Sequence, residues 1–529
     1  MNVLDPTVNV LDPTVQFQHL QTQLRDRWRN VAEFDTSEAD IIVIPSLSID
    51  QRELLKIEGF LHYEERLLFS LIRLRNPRTR LVYVTSQPIH PSVIDYYLQL
   101  LPGIPFSHAR DRLLLLSTYD SSLKPLSQKI LDRPRLLDRI RQAVNPDRAY
   151  MICYNSTNVE RDLSIQLNIP LYALDPSLLT WGTKSGSRQI FAESEIPHPD
   201  GSELVWNAKD LAVVTAELWE RNPKLQRVVI KLNEGFSGEG NALLDLRPLG
   251  EYQPGAITHE QRVTKIYDRF ADLKFEAKTE TWDNYGNRIP ELGAIAEAFI
   301  EGDHKLSPSV QGRVTPGGEV EILSTHDQIL GGPSGQIYLG CRFPADETYR
   351  MRIQDMSLRV GRTLAAKGAL ERFGVDFVAV QRDDQWEFHA IEINLRKGGT
   401  THPFMTLKFL TNGRYDLSSG LFYSQHGRPK YYMATDNLQK PQYCGLLPND
   451  LMDIIAHYGL HFDTSTETGT VFHLMGCLSE FGKLGLTSIG NSPQQAEDLY
   501  RRVVRAIDDE TKPSIDSHNL SAMRWNSGY

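Results

Sequence analysis

The chain has 529 residues, 40% hydrophobic and 23% charged, with a formal net charge of −10. That is the make-up of a folded protein of roughly three or four domains, not of a disordered chain. The acidic balance argues against bulk electrostatic binding to nucleic acid or to an anionic membrane, but it leaves room for a local basic site for a phosphorylated ligand.

NVLDPTV occurs at Asn2–Val8 and again at Asn9–Val15. Two short copies cannot make a solenoid, so residues 1–35 are expected to be a mobile leader. Asp5 and Asp12, with no basic-then-apolar block, argue against a signal peptide. No apolar run approaches the length of a membrane span. Cys153, Cys341, Cys444 and Cys477 show no CxxC spacing, so neither a zinc site nor a disulfide framework is indicated. A reducing cytoplasm is the simplest setting.

Residues 36–180 alternate strand-like and helix-like segments. ADIIVIPSL (Ala39–Leu47), RLVYVTSQP (Arg80–Pro88), RLLLLST (Arg112–Thr118), AYMICYN (Ala149–Asn155) and IPLYALD (Ile169–Asp175) read as strands, with amphipathic stretches between them. Such alternation means βαβ units and a mostly parallel sheet. There is no GxGxxG to mark a dinucleotide site. STNVERD, after the fourth strand, is either a functional loop or a helix start capped by Ser156 or Thr157.

From Trp181 glycines become frequent and lysines sit at strand ends. Val228–Leu232, Ala294–Ile300, Glu319–Thr325, Val375–Gln381 and Trp386–Asn394 read as strands of an antiparallel-rich α+β region extending to residue 416. Arg350–Ala369 reads as a long helix, and TPGGE and RDDQ as hairpin turns. A smaller α/β piece follows over 417–510. It has a helix at Leu451–Leu460, a strand at Thr470–Leu478 and a capped helix at Ser492–Asp508, before a polar tail at 511–529.

The chemistry concentrates in a few stretches. In VVIKLNEGFSGEGN, Lys231 ends a strand and Glu234, Gly235, Ser237 and Gly238 follow. A glycine-rich loop of this kind can bring backbone N–H groups to an anion, and Lys231 would add a point charge. It is not a Walker loop, and a plain turn is the alternative. In IEINLRKGGTTHP, Glu392 and Asn394 project from one strand face because side chains alternate. With Asp376 on the expected neighbour strand they make an oxygen set suited to Mg²⁺; a solvated strand edge is the bland reading. Lys397, Gly398, Gly399, Thr400, Thr401 and His402 then read as a substrate loop, as a tight turn before a helix with Thr401 as its N-cap, or as both at once.

Taken in order, Lys184, Lys231 with its glycine-rich loop, the Glu-x-Phe-Ile segment Glu297–Ile300, Asp376 and Glu392-Ile-Asn394-Leu-Arg396 resemble the ATP-grasp superfamily of carboxylate–amine ligases. IEINLRKGGTTHP and the FGKLG of the C-terminal piece are similar to the pheganomycin-type peptide ligases. The resemblance implies a Rossmann-like pre-ATP-grasp domain at 36–180, a two-lobed ATP-grasp domain at 181–416 and a small C-terminal domain at 417–510. It implies that Lys184 and Lys231 contact ATP phosphates, under a loop running from Glu234 through Gly235, Ser237 and Gly238 to Gly240. Glu297 and the backbone near Phe299 would hold adenine, and Glu301 is a candidate for the ribose. Asp376, Glu392 and Asn394 would hold two Mg²⁺ ions.

The implied reaction makes an acyl phosphate from a carboxylate and ATP. An amine, from an amino acid or a peptide, then displaces phosphate. Better-known dipeptide ligases of the superfamily carry an Arg two residues before the metal-binding acid, where this chain has Gly374. The oxyanion role would then pass to Arg396, with Arg342 second. Dimers are common among such proteins, so a homodimer is an expectation too. The competing readings are a small-molecule kinase built on the same site and a non-catalytic ATP-binding protein.

Overall fold

The computed structural model describes residues 12–32, 38–101, 103–234, 240–275, 280–331, 337–383 and 385–512. Ala39–Ile44 is buried along its whole length, as a continuous apolar run in a covered parallel sheet should be. It lies between Thr79–Thr85 and Ala149–Cys153, and Leu113–Ser117 completes a four-stranded parallel sheet. The expected fifth strand adds only one bridge, Met151 to Leu171. Thr157 caps the helix Asn158–Leu167 through a capping box with Glu160. The amphipathic stretch between the third and fourth strands forms two helices, Leu126–Leu131 and Pro134–Ala143, because Pro134 can start a helix but not continue one. The stretch around Leu67 and Leu71 is a 3₁₀ helix, Phe60–Arg75. Where a mobile leader was expected, Pro13–Ala32 is a helix whose Phe17 is buried in the core beside the sheet.

A second four-stranded sheet, antiparallel, orders Lys274–Phe275, Asn241–Asp245, Arg227–Leu232 and Ala294–Ala298 side by side. The third sheet is larger. Gln385–Asn394, Glu371–Arg382, Pro308–Val314, Val320–Gly331, Ile337–Phe343 and Pro429–Gln439 lie in that order. Lys483–Gly490 and Gly469–His473 extend it from Pro429–Gln439. The strand pairing therefore runs unbroken across residue 416, through Cys341–Phe343 against Tyr432–Ala434. The strand at Pro308–Val314 had no sequence signal of its own, being PSVQGRV with Gly312 and three polar residues inside.

One apolar core ties the beginning of the chain to its end. Leu68 and Tyr97 from the first region pack with Phe404, Phe472 and Leu486. This shared core brings the 3₁₀ helix Phe60–Arg75 and the strand Lys483–Gly490 to the wall of the cleft described next.

Candidate active site

Glu371–Arg382 and Gln385–Asn394 form a hairpin in which Asp376 stands opposite Glu392 and Gly374 opposite Asn394. Ile393 and Leu395 are buried, while Glu392, Asn394 and Arg396 line a cleft of about 880 Å³, together with Ile391, where the register of the hairpin shifts. Asp376 accepts from Asn394 Nδ2 at 2.9 Å and from Gln328 Nε2 at 2.7 Å. Burial, and next the nearby Glu392, push Asp376 up to about 7. Glu392 is held below the usual range; burial works against this, but Lys184, 2.5 Å away, and Arg396 outweigh it. Among the described residues no three His, Cys, Asp or Glu cluster as a metal site. The set is instead two carboxylates and an amide, an all-oxygen group that fits a hard cation keeping much of its water. Such a cation would also offset the repulsion between the two acids.

The opposite wall comes from the smaller antiparallel sheet. Lys231 Nζ lies 2.5 Å from Glu297 Oε2, both buried, and Arg188 Nη1 lies 3.5 Å from Glu297 Oε1. Lys184 is the first residue of the helix Lys184–Glu193. Asn233, just past the Lys231 strand, accepts from Lys184 N at 3.0 Å on its carbonyl and from Ser185 N at 2.9 Å on its side chain. The helix start thus spans both walls: its backbone is tied to one sheet and its ammonium to Glu392 of the other. The Phe299 ring lines the cleft, with Arg227 4.0 Å and Lys305 4.3 Å from its centre. Glu234 is exposed, and Gly235, Ser237 and Gly238 lie outside the described residues.

Past the hairpin, Gly398, Gly399 and Thr400 line the same cleft. Gly399 lies against the Tyr338 ring, where a Cβ would come within 2.7 Å of the ring carbon Cε1. Thr400 is bonded to Gln311, and Thr401 Oγ1 accepts from Gly398 N at 3.0 Å, which closes the loop. The helix begins at Thr401 and runs to Thr411, so Thr401 is inside it and is not its N-cap.

Four expected site residues are placed elsewhere. Lys397 is buried and turned away, 3.3 Å from Glu371. His402 is enclosed by Tyr97, Phe69 and His473, with its Nδ1 3.1 Å from the Arg66 carbonyl. Glu301 pairs with Arg227 and does not line the cleft. Arg342 is 52% exposed, near Glu497 on the C-terminal helix. In each case a partner side chain that the sequence does not place draws the group off.

The cleft also holds residues that sequence reasoning passed over. Gln311 and Gln328 come from two neighbouring strands of the large sheet, and Arg66, Tyr63, Tyr154, Asp436 and Lys483 from the two ends of the chain. Only Lys483 carried a signal, lying within the FGKLG stretch.

Residues 178–262 and 253–418 match the family model described as IQCH-like, ATP-grasp, and residues 450–503 match that of the PGM1 C-terminal domain. The chain is 29% identical over 477 residues to the L-propargylglycine–L-glutamate ligase of Streptantibioticus cattleyicolor, covering 88% of this chain and 93% of the relative. It is 24% identical over 441 residues to the IQ motif-containing protein H of Danio rerio, covering 76% of this chain but 41% of that longer protein. Among solved structures, the biotin carboxylase of Campylobacter jejuni superposes with a TM-score of 0.53 at 11% identity, over 88% of this chain and 91% of that one. The biotin carboxylase domain of the Hydrogenobacter thermophilus 2-oxoglutarate carboxylase does so with a TM-score of 0.52 at 12% identity, over 88% and 89%. At these identities the likeness is one of fold.

Proposed function

We propose, from the premise that the chain belongs to the ATP-grasp superfamily, that it is an ATP-dependent carboxylate–amine ligase forming an amide or peptide bond. The observation that carries the reading is one cleft in which Lys231 and Glu297 on one wall face Asp376, Glu392, Asn394 and Arg396 on the other. Cations on one side and an oxygen donor set on the other suit a polyphosphate held between them.

Lys231 and Lys184 neutralise phosphate charge. Glu297 and the Phe299 backbone bound the adenine. Asp376, Glu392 and Asn394 would hold Mg²⁺, which when bound would supply charge neutralisation at the phosphates. A substrate carboxylate oxygen attacks the terminal phosphorus, the bond from that phosphorus to the ADP oxygen breaks, and ADP leaves. The amine then attacks the acyl carbon, phosphate departs with the C–O bond electrons, and the amine loses a proton. Arg396 offers its guanidinium to the oxyanion of this second step. The loop Gly398–Thr400 brings backbone close to the reacting acyl group. Proximity and charge do the work, so no nucleophilic side chain is needed.

The name of the Streptantibioticus relative supports amino acids as both partners, and a peptide as the amine extends the same reading. A homodimer and a cytoplasmic setting belong to it as well. No described helix is long and apolar enough to cross a membrane.

The test is incubation with Mg-ATP and a panel of amino acids and dipeptides, following ADP and free phosphate together. Equal release of both, with a hydroxamate trapped by hydroxylamine and turnover stopped by a chelator, is the expected result. ADP with a phosphorylated product and no free phosphate would mean a kinase. Nucleotide binding without turnover would mean a non-catalytic protein.

A further inference from the structure

The end of the cleft formed by the 3₁₀ helix Phe60–Arg75 and the strand Lys483–Gly490 is built around two cations, Arg66 and Lys483. Arg66, on the 3₁₀ helix Phe60–Arg75, is paired with the buried Asp436 and donates to Tyr154 Oη at 2.8 Å. Its guanidinium lies 4.5 Å from the centre of the Tyr63 ring. Lys483 lies 5.1 Å from the same ring centre and donates to Tyr63 Oη at 2.8 Å. Lys483 is only 6% exposed, and among the described residues it has no carboxylate within ion-pair distance. A buried ammonium with no counter-charge in contact is costly to keep, and its own burial depresses its pKa. The second cation beside the same ring raises that cost further.

We propose that Lys483 and Arg66 anchor a substrate carboxylate that is not consumed in the reaction, such as the α-carboxylate of an amino acid or the C-terminus of a peptide. The inference rests on the ligase reading for its chemistry. The charge count selects the ligand. Two cations less the Asp436 carboxylate leave a surplus of one, which a carboxylate neutralises and a dianionic phosphate would overshoot beside Asp436. Glu58, also on this wall, acts on Lys483 only at longer range and is exposed, so solvent screens its charge, and it is left out of a count of the buried groups. Tyr63, Tyr154 and Tyr338 supply apolar walls for the hydrocarbon part of the ligand. Gly399, pressed on the Tyr338 ring, links this end to the loop beside the hairpin, so a molecule anchored here can present its other group there.

The test uses titration calorimetry in the presence of Mg-ADP, with L-alanine, L-glutamate, L-phenylalanine and glycylglycine, each against its C-terminal amide. The expected result is that at least one acid binds about tenfold or more tightly than its amide, the size of one charged hydrogen bond. Lys483→Met should abolish that preference and Lys483→Arg should keep most of it, with ADP affinity in both variants reporting an intact fold. Arg66→Lys serves as the second variant, expected to weaken the preference. The absence of any acid-over-amide preference in the wild type, or its survival in Lys483→Met, overturns the anchor. ATP turnover without the preference overturns the anchor alone; the preference without turnover overturns only the ligase reading.

Discussion

Lys184 Nζ lies 2.5 Å from Glu392 Oε1, an ion pair that joins the start of one helix to the hairpin of the large sheet. Lys184 is 4% exposed at its side chain and Glu392 23%. Removing the acid therefore does two separable things. Glu392→Ala leaves a buried ammonium without its counter-charge and should cost about 3 kcal/mol of stability. Glu392→Gln keeps the shape and a hydrogen-bond acceptor, so the stability loss should be smaller. Both should lower turnover by at least about a hundredfold, since each removes a carboxylate proposed to hold the Mg²⁺ that would offset charge on the reacting phosphates. Urea unfolding and phosphate release, measured on the two variants together, check this. Retained turnover in Glu392→Gln would show that the acid only holds Lys184.

The pair on the opposite wall predicts a different kinetic signature. Lys231 is 2.5 Å from Glu297, which Arg188 also approaches at 3.5 Å. In Lys231→Met the acid keeps Arg188, so the fold should survive. A phosphate contact is lost in the ground state as well as at the transition state, so KM for ATP should rise about tenfold or more. A change in kcat with KM for ATP untouched would place Lys231 away from the nucleotide.

The site could be read in part because strand periodicity is a local rule. Glu392 and Asn394 share a face since alternate residues of a strand do, and both line the cleft, as does Arg396, two residues past the strand's end. The hairpin partner of Glu392 was likewise legible as Asp376, because one tight turn separates the two strands. Lys397 and His402 were misread since nothing local distinguishes a buried cation beside Glu371, or a ring packed against His473, from a residue facing substrate. The strand Pro308–Val314 was missed for a related reason. Its glycine and polar residues contradict strand propensity, and pairing on both sides overrides it. Arg66 and Lys483 are far apart in the chain and meet only through the shared core, which no window of sequence contains.

Gly186 supplies a stability test tied to the site. A Cβ there would stand 1.9 Å from the Thr180 carbonyl oxygen, a backbone atom that cannot swing aside. The same residue donates its N–H to Thr183, the cap of the helix carrying Lys184, at 3.1 Å. Gly186→Ala should therefore cost about 2 kcal/mol by overpacking. By displacing the helix start it should also weaken ADP binding. The paired measurement is the urea midpoint and the ADP dissociation constant; a variant as stable as the parent would mean that the Thr180 turn gives way freely.

His402, taken from the sequence for a substrate contact, makes a prediction about pH. Burial lowers its pKa to about 4, and the adjoining His473 is depressed as well, again chiefly by burial. The His402 ring lies 4.0 Å from that of His473, edge-on to Tyr97 and Phe69, and beneath the Arg66 carbonyl. No acid among these neighbours offers a counter-charge. A histidine whose folded pKa is depressed contributes stability that is present above its unfolded value near 6.5. That stability is lost as the pH falls toward the folded value, because the unfolded chain takes up the proton first. The protein should therefore lose about 3 kcal/mol from this ring alone between pH 6.5 and 4. His402→Leu should be less stable at pH 7, having lost the contact to the Arg66 carbonyl, but its stability should fall less steeply over that interval. Urea unfolding of both proteins at half-unit steps gives the two slopes. Parallel slopes would mean that His402 is protonated as readily in the folded protein as in the unfolded chain.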